Sequence, residues 1–118
     1  MKTILWVSRH QMTAQQEQQL YKIYGEVRIF RLDRTVEHAA EITAIPADIY
    51  AVVLPLGLLA ELRQATGCEI IQPVSGRVPT GRTAVNPATG TEEPEYAFSH
   101  LYWQRILRLE LETETLQA

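Results

Sequence analysis

The chain has 118 residues, which suits one ordinary domain and is too short for two. Hydrophobic residues make up 46% of it and charged residues 21%, a composition that excludes disordered, collagen-like and membrane-embedded classes. The formal net charge of −3 argues against a general binder of duplex DNA or anionic membranes, because both attract a broad cationic face. A small anionic ligand in a local basic pocket remains compatible with this charge.

The first 25 residues predict a buried strand followed by a helix. Ile4 to Val7 is a continuous apolar run, as expected for a parallel strand covered on both faces, and it is too short for a signal peptide or a membrane span. Thr13 and Gln16 have the spacing of a capping box, and Gly25 is a typical helix end. The predicted inward positions of this helix are Met12, Leu20, Ile23 and Tyr24.

Two strands and a second helix are predicted next. Alternation in Glu26 to Leu32 predicts a peripheral strand, whereas Ile49 to Leu54 is the most strand-like segment and should lie centrally, adjacent or nearly adjacent to the first strand. Between them, Thr35 is predicted to cap a helix that ends before Pro46. The predicted inward residues of that helix are Val36, Ala39, Ala40 and either Ile42 or Thr43.

A third helix and a fourth strand complete the α/β pattern. Gly67 closes the helix, and Cys68 to Gln72 is predicted as the strand. The resulting βαβαβαβ order predicts a Rossmann-like α/β fold over residues 1–118, a single domain with a mainly parallel sheet flanked by helices. The helical leucines are Leu56, Leu58, Leu59 and Leu62.

The remaining sequence predicts an extended arm and a long terminal strand. Residues 73–95 are rich in Gly, Pro, Thr and Asn, which favours a β-arm or hairpin with its tip at Asn86 to Gly90. Beyond the arm, apolar residues on odd positions and polar residues on even positions predict one half-exposed strand. The odd set is Leu101, Trp103, Leu107, Leu109 and Leu111, and the even set is Tyr102, Gln104, Arg108, Glu110 and Glu112.

The loop after the first strand is the main candidate for a functional site. Ligands of open parallel sheets bind beyond the carboxyl ends of the strands, where this loop places Ser8, Arg9 and His10, followed by Gln11 and Thr13. Hydroxyl and backbone N–H groups can donate to phosphate, arginine can bind it in bidentate fashion, and histidine can transfer a proton near neutral pH. The alternative is a solvated turn, because the loop lacks the glycines of a dinucleotide or P-loop fingerprint.

Two further loops are predicted to border the same site. Pro55, Leu56 and Gly57 follow the third strand, where Gly57 permits close backbone approach and Leu56 offers an apolar wall for a base or ring. These residues are equally consistent with an ordinary strand end and helix start. Ser75 and Arg77, after the fourth strand, are a weaker extension of the rim.

No metal site and no cofactor is predicted. His10, His38 and His100 lack the spacing of metal ligands, and Cys68 is the only cysteine, so neither an intrachain disulfide nor a cysteine-based zinc site is expected. We expect a soluble cytoplasmic protein.

Two segments resemble small CRISPR-associated Rossmann-like proteins of the CARF and ring-nuclease group. They are Ile4 to Gln16, with its strand ending in Ser-Arg-His and its Thr-x-x-Gln box, and Val52 to Leu62, with its Val-Val-Leu-Pro-Leu strand end. The resemblance implies an antiviral homodimer that binds a cyclic oligoadenylate across its two-fold axis and, in some members, cleaves it without a metal. Arg9 is then implied to stabilise the phosphorane, Ser8 to hold a phosphate oxygen, and His10 to act as general acid or hydrogen-bond donor.

Two other functions fit the same residues. One is a nucleotide sensor or sequestering protein that uses the same pocket without cleavage. The other is a protein-interaction module in which the terminal strand pairs with a partner.

Overall fold

The protein is a mixed α/β domain in a computed structural model that describes residues 1–109 and 113–117. Five strands and three helices are present in the described residues. In chain order they are β1 (Lys2–Val7), α1 (Ala14–Tyr24), β2 (Val27–Leu32), α2 (Ala39–Thr43), β3 (Ile49–Val52), α3 (Leu56–Ala65), β4 (Glu69–Val85) and β5 (Glu92–Arg105). In this part of the chain, no helix has the length and apolar character needed to cross a membrane.

The sheet has the strand order β2-β1-β3-β4-β5. The first four strands are parallel and β5 is antiparallel to β4, which makes the sheet mixed. β1 and β3 pair directly, with Ile4 opposite Ile49, which confirms the prediction that the two apolar segments are neighbours. The chain steps to one side of β1 to form β2 and to the other side to form β3, so the connections diverge between β1 and β3.

Two hydrophobic layers cover the sheet. In β1, Leu5 and Val7 pack on one face with buried residues of α2 and α3, while Ile4 and Trp6 pack on the other face with Leu20 of α1. Burial on both faces explains why these strands read as unbroken apolar runs rather than alternating patterns. β2 lies at the sheet edge, as its alternating sequence predicts.

The first helix begins and ends where the sequence predicts. Thr13 Oγ1 accepts the backbone N–H of Gln16 at 3.2 Å, and the Gln16 side chain accepts the backbone N–H of Thr13 at 2.9 Å, which confirms the capping box. Gly25 ends the helix with a positive φ of 78°, which glycine adopts without steric cost. Ile23 is 53% exposed, so its predicted inward position is wrong.

The predicted start of α2 at Thr35 is wrong. The helix begins at Ala39, and the Glu41 carboxylate accepts the backbone N–H groups of Glu37 and His38 at 2.8 and 2.9 Å. A capping box at Thr35 would need Glu or Gln three positions later, and the residue there is His38. Ala39 and Ile42 point inward as predicted, whereas Ala40 is exposed.

The predicted arm is a long antiparallel hairpin formed by β4 and β5. Its turn lies at residues 86–90, as predicted, but β4 runs without interruption from Glu69 to Val85 rather than ending at Gln72. β3 pairs only with Glu69 to Ile71, so the rest of β4 has one free edge, where prolines are tolerated. The radius of gyration is 18.5 Å, against about 13 Å for a compact domain of 100 residues, because the arm projects from the body.

The terminal strand is displaced from its predicted position. β5 covers Glu92–Arg105, so Leu107 and Leu109 lie beyond it, and positions 110–112 of the predicted strand fall outside the described residues. A register shift places Val74 opposite Tyr102 and Ser75 opposite His100, which leaves Leu101 as an extra residue in β5. This bulge breaks the odd and even alternation. His100 and Trp103 therefore both contact α1, while Leu101 is 41% exposed.

Candidate functional site

A cavity of about 200 Å³ lies at the carboxyl edge of the sheet, beside the ends of β1, β2 and β3. Its walls come from three loops that meet there because the three strands are parallel neighbours. We call it the arginine cavity. Its lining residues are Val7, Ser8, Arg9, Arg34, Thr35, Val36, Val53, Leu54, Pro55 and Leu58.

The Ser8 to His10 turn is held in place by hydrogen bonds. The backbone N–H of His10 donates to Ser8 Oγ at 3.1 Å, and the Trp6 indole donates to the His10 carbonyl at 2.8 Å. Arg31 Nη2 donates to the Arg9 carbonyl at 2.6 Å. The backbone of Arg9 is thus fixed on both sides, while its side chain is exposed at the cavity. Ser8 is buried at its wall.

Arg34 and Thr35 are cavity residues that the sequence analysis missed. They follow β2, the neighbour of β1, and Thr35 lines the cavity instead of capping a helix. Arg34 Nη2 lies 3.9 Å from Glu41 Oε1, a long and solvent-exposed ion pair of small energetic value. No carboxylate is among the lining residues, which include two arginines, a serine and a threonine among apolar neighbours.

The structure separates the predicted site residues into groups. Ser8, Arg9 and Pro55 line the arginine cavity, whereas Thr13 and Ser75 line a different cavity on the α1 side of the sheet. The remaining predicted residues line neither cavity. His10 and Gln11 are exposed in the loop, Leu56 and Gly57 lie in the first turn of α3, and the Arg77 guanidinium stacks 4.5 Å from the Tyr96 ring centroid on the arm.

The second cavity has a volume of about 300 Å³, and apart from Phe98 its lining residues are polar and carry no carboxylate, lysine or arginine. We call it the glutamine cavity. The Gln15 amide donates to the His100 carbonyl and the Gln19 amide to the Leu101 carbonyl, both at 3.2 Å, so glutamines of α1 anchor β5. The lining residues are Thr13, Gln15, Gln16, Ser75, Phe98, Ser99 and His100.

His100 forms a buried wall of the glutamine cavity. His100 is only 7% exposed. Burial lowers the pKa of its ring below the usual 6.5, so the ring is neutral at pH 7. Gln19 donates its amide N–H to Leu101, which leaves its oxygen 2.8 Å from His100 Nε2 as the acceptor. Nε2 therefore carries the proton, and buried Nδ1 is an acceptor without a hydrogen-bond partner in the described residues.

A third group of polar side chains lies at the opposite, amino edge of the sheet. Glu69 accepts hydrogen bonds from the Tyr24 hydroxyl at 2.8 Å and from Arg105 Nε. We call these three residues the carboxylate cluster. Burial, followed by the hydrogen bond to Glu69, raises the pKa of Tyr24 to about 12. Burial acts to raise the pKa of Glu69, but the hydrogen bonds from Tyr24 and Arg105 outweigh it and lower that pKa.

Comparison with known proteins found no matching family model, no similar curated protein and no similar solved structure. In residues 1–109 and 113–117, no cluster of three or more His, Cys, Asp or Glu side chains could hold a metal ion.

Proposed function

We propose that the arginine cavity binds the phosphate groups of a nucleotide ligand, and that the domain is a Rossmann-like binding fold. The observation that carries this proposal is the convergence of Arg9 and Arg34, from two different loops, on one cavity without a lining carboxylate. Guanidinium groups bind phosphate oxygens in bidentate fashion, and the hydroxyls of Ser8 and Thr35 add donors. The cavity adjoins the point where connections diverge between β1 and β3, which is where open α/β sheets bind ligands.

We further propose that the ligand is a cyclic oligoadenylate bound by a homodimer. The support is the resemblance of residues 4–16 and 52–62 to the ring-nuclease group, together with the size of the cavity. About 200 Å³ is below the roughly 300 to 1,000 Å³ of pockets that enclose a whole small ligand. A two-fold pairing of two such cavities would offer four arginines to one ring of phosphates.

The proposed reaction is an internal phosphoryl transfer that needs no metal. A ribose 2′-oxygen loses its proton and bonds to the adjacent phosphorus, the bond from phosphorus to the 5′-oxygen breaks, and the departing oxygen takes up a proton. The product is a linear chain that ends in a 2′,3′-cyclic phosphate. Arg9 and Arg34 would stabilise the negative charge on the phosphorane, and Ser8 would orient one phosphate oxygen.

A non-catalytic sensor or sequestering protein is the second candidate, and the position of His10 favours it. His10 is exposed and does not line the arginine cavity, so the described geometry holds no proton-transfer group beside the two arginines. A protein that holds the messenger without cutting it needs only the cations and hydroxyls.

Titration, light scattering and product analysis test the proposal together. We expect cyclic oligoadenylates to raise the melting temperature, because they bind only the native state, and we expect light scattering to report a dimer. Chromatography of the oligoadenylate after incubation with the protein in EDTA distinguishes a metal-independent nuclease, which yields linear product, from a sensor, which leaves the ring intact. A His10→Ala variant that binds normally but cleaves about 100-fold more slowly assigns proton transfer to His10. The proposal is contradicted if the protein is a monomer and binds none of the cyclic or linear oligonucleotides.

A further inference from the structure

We propose that the arm of β4 and β5 is a dimer contact, in which an apolar stripe on one face of the arm packs antiparallel to the same stripe of a second copy of this chain. The stripe consists of Val85, Pro94, Tyr96 and Phe98. The inference goes beyond the proposed function and does not rest on it, because it gives a role to the arm and assigns nothing to the arginine cavity.

The residues of the stripe share one face of the arm. Side chains alternate between the two faces of a strand, so Pro94, Tyr96 and Phe98 point to the same side of β5. Glu92 belongs to the same alternation, and Val85 lies directly opposite it on β4. The arm therefore has one face on which apolar side chains follow one another from the body toward the tip.

The stripe lies in solvent. Phe98 is 78% exposed, Val85 62% and Tyr96 45%, and Pro94 is exposed as well. These side chains stand on a ribbon of two strands, and such a ribbon without a further layer is only marginally stable in water. A partner that covers the stripe removes apolar surface from water and adds that layer, so the contact stabilises the arm as well as the complex.

Opposite charges mark the two ends of the stripe. Arg77 lies opposite Phe98 near the body, and its guanidinium stacks 4.5 Å from the Tyr96 ring centroid, which places it on the face of the stripe. Glu92 lies on the same face near the tip, about 20 Å away at the usual rise of an antiparallel strand. In the part of the chain that the structure describes, neither Arg77 nor Glu92 has an ion pair.

This charge pattern is self-complementary only when the two arms run in opposite directions. A two-fold axis through the middle of the stripe places Arg77 of each copy beside Glu92 of the partner subunit and gives two ion pairs. Arms that ran in the same direction would place like charges side by side, which is unfavourable. The antiparallel arrangement also lays the aromatic half of one stripe over the half of the other that holds Val85 and Pro94.

The acidic tip argues against a nucleic acid on this face. Glu92, Glu93 and Glu95 lie in the outer half of β5, against Arg77 and Arg82 on β4, so this part of the arm carries more negative than positive charge. A polyanion is bound by a surplus of cations. A second copy, in contrast, brings both a carboxylate for the cation and a cation for the carboxylate.

Sedimentation of the full chain over a range of concentrations tests the contact. We expect a monomer–dimer equilibrium with a Kd on the order of micromolar, because a stripe about 20 Å long covers less than the roughly 800 Å² per partner of a standard interface. Phe98→Ala should raise this Kd about ten-fold or more, without a change in the melting temperature of the dilute monomer, since the ring is exposed. Tyr102→Ala, which removes an exposed aromatic ring of β5 outside the stripe, should leave the Kd unchanged.

Charge reversal at the ends of the stripe tests the identity of the partner and the direction of the arms. Arg77→Glu and Glu92→Arg should each weaken self-association about ten-fold, since each variant places like charges at both pairs. An equimolar mixture of the two variants should restore the wild-type Kd, because both pairs in the mixed dimer again join opposite charges. Glu95→Arg, the same change on the opposite face of β5, is the matched control and should leave the Kd unchanged.

Three results would overturn the inference. The first is a wild-type chain that stays monomeric at every concentration. The second is a dimer whose Kd is not raised by the substitutions at Phe98, Arg77 and Glu92, which would place the contact elsewhere. The third is a mixture that associates no more tightly than the single variants. Binding of a cyclic oligoadenylate is measured separately, so a dimer that binds this ligand but ignores the arm substitutions would leave the proposed function in place while this inference fails.

Discussion

The two edges of the sheet hold charged side chains in opposite states. At the amino edge, the charges of the carboxylate cluster are closely paired, since Glu69 Oε1 accepts from both Tyr24 and Arg105. At the carboxyl edge, Arg34 has only a long ion pair, and no ion pair of Arg9 is found in the described residues. Groups that satisfy one another contribute to stability, whereas cations left without close partners are available to a ligand. We therefore expect substitutions at the amino edge to change stability and substitutions at the carboxyl edge to change ligand binding.

The largest expected effect is the loss of ligand affinity in Arg9→Ala. A phosphate that loses a charged hydrogen-bond partner should cost roughly 2 to 5 kcal/mol, or about 30-fold to several thousand-fold in Kd for a cyclic oligoadenylate. The side chain is exposed, so the free energy of unfolding should change by no more than about 0.5 kcal/mol. Calorimetric titration and urea unfolding measure the two quantities.

Arg82→Ala is the matched control for this substitution, because Arg82 is an exposed arginine on the arm and lines neither cavity. It should leave both quantities unchanged. Equal affinity in the wild type and Arg9→Ala would remove the phosphate assignment and with it the contrast between the two edges.

The next effect is a loss of stability in Glu69→Gln. Replacement of the carboxylate removes the charge that Arg105 pairs with and weakens the hydrogen bond from Tyr24, so the free energy of unfolding should fall by about 1 to 3 kcal/mol. Ligand affinity at the arginine cavity should stay the same. A variant with full stability and reduced affinity would reverse the proposed division of roles.

Because the pKa of Glu69 is lowered in the folded state, its contribution is present above the unfolded value of 4.5 and is lost as the pH falls through the folded value. The stability gap between the wild type and Glu69→Gln should therefore narrow below pH 4.5. A gap that is constant into the acid range would show that the charge of Glu69 has no part in it.

A smaller effect is expected for Tyr24→Phe, which deletes one hydroxyl and keeps the ring. Only the hydrogen bond to Glu69 is lost, while Arg105 still pairs with the carboxylate, so the cost should be about 0.5 to 1.5 kcal/mol in urea unfolding. The matched control is Tyr21→Phe, because Tyr21 is 43% exposed and its hydroxyl bond to Glu17 should therefore matter less. Equal costs for the two substitutions would mean that the cluster is no more stabilising than a surface pair.

The parts of the fold that the sequence predicts are those with a local cause. Apolar runs without alternation identify β1 and β3, because burial on both faces leaves no polar position in a short strand. The spacing of Thr13 and Gln16 identifies the start of α1, and turn residues identify the tip of the arm. Ser8 and Arg9 are found for the same reason, since they directly follow an identified strand.

The remaining features depend on tertiary structure. Arg34 lines the cavity only because β2 lies next to β1 in the sheet. The order of strands in a sheet cannot be predicted from local sequence patterns, so Arg34 was not identified. His100 turns toward α1 only because of the bulge at Leu101, which no alternation predicts. Thr35 has the residue type of a helix cap, but the hydrogen bond from Glu41 back to His38 places the cap at His38, three residues later. The sequence did contain one indication of the true helix start, because Glu41 lies three residues after His38, which is the spacing of a capping box.

The smallest effect sharpens the comparison at alkaline pH. Folding raises the pKa of Tyr24 from 10.0 to about 12, because the phenolate would be partly buried and would face the Glu69 carboxylate. A group whose folded pKa lies above its unfolded value contributes stability that is complete below pH 10 and is lost as the pH rises through about 12. The stability advantage of the wild type over Tyr24→Phe should therefore be constant from neutral pH to about pH 10 and then shrink. Urea unfolding of both proteins across this range measures the difference, in which the titration of the other tyrosines and of the lysines cancels. An advantage that persists undiminished to pH 12 would mean that the hydroxyl stabilises the fold without depending on the proton that it donates to Glu69, and the assigned hydrogen bond would then not be the source of its contribution.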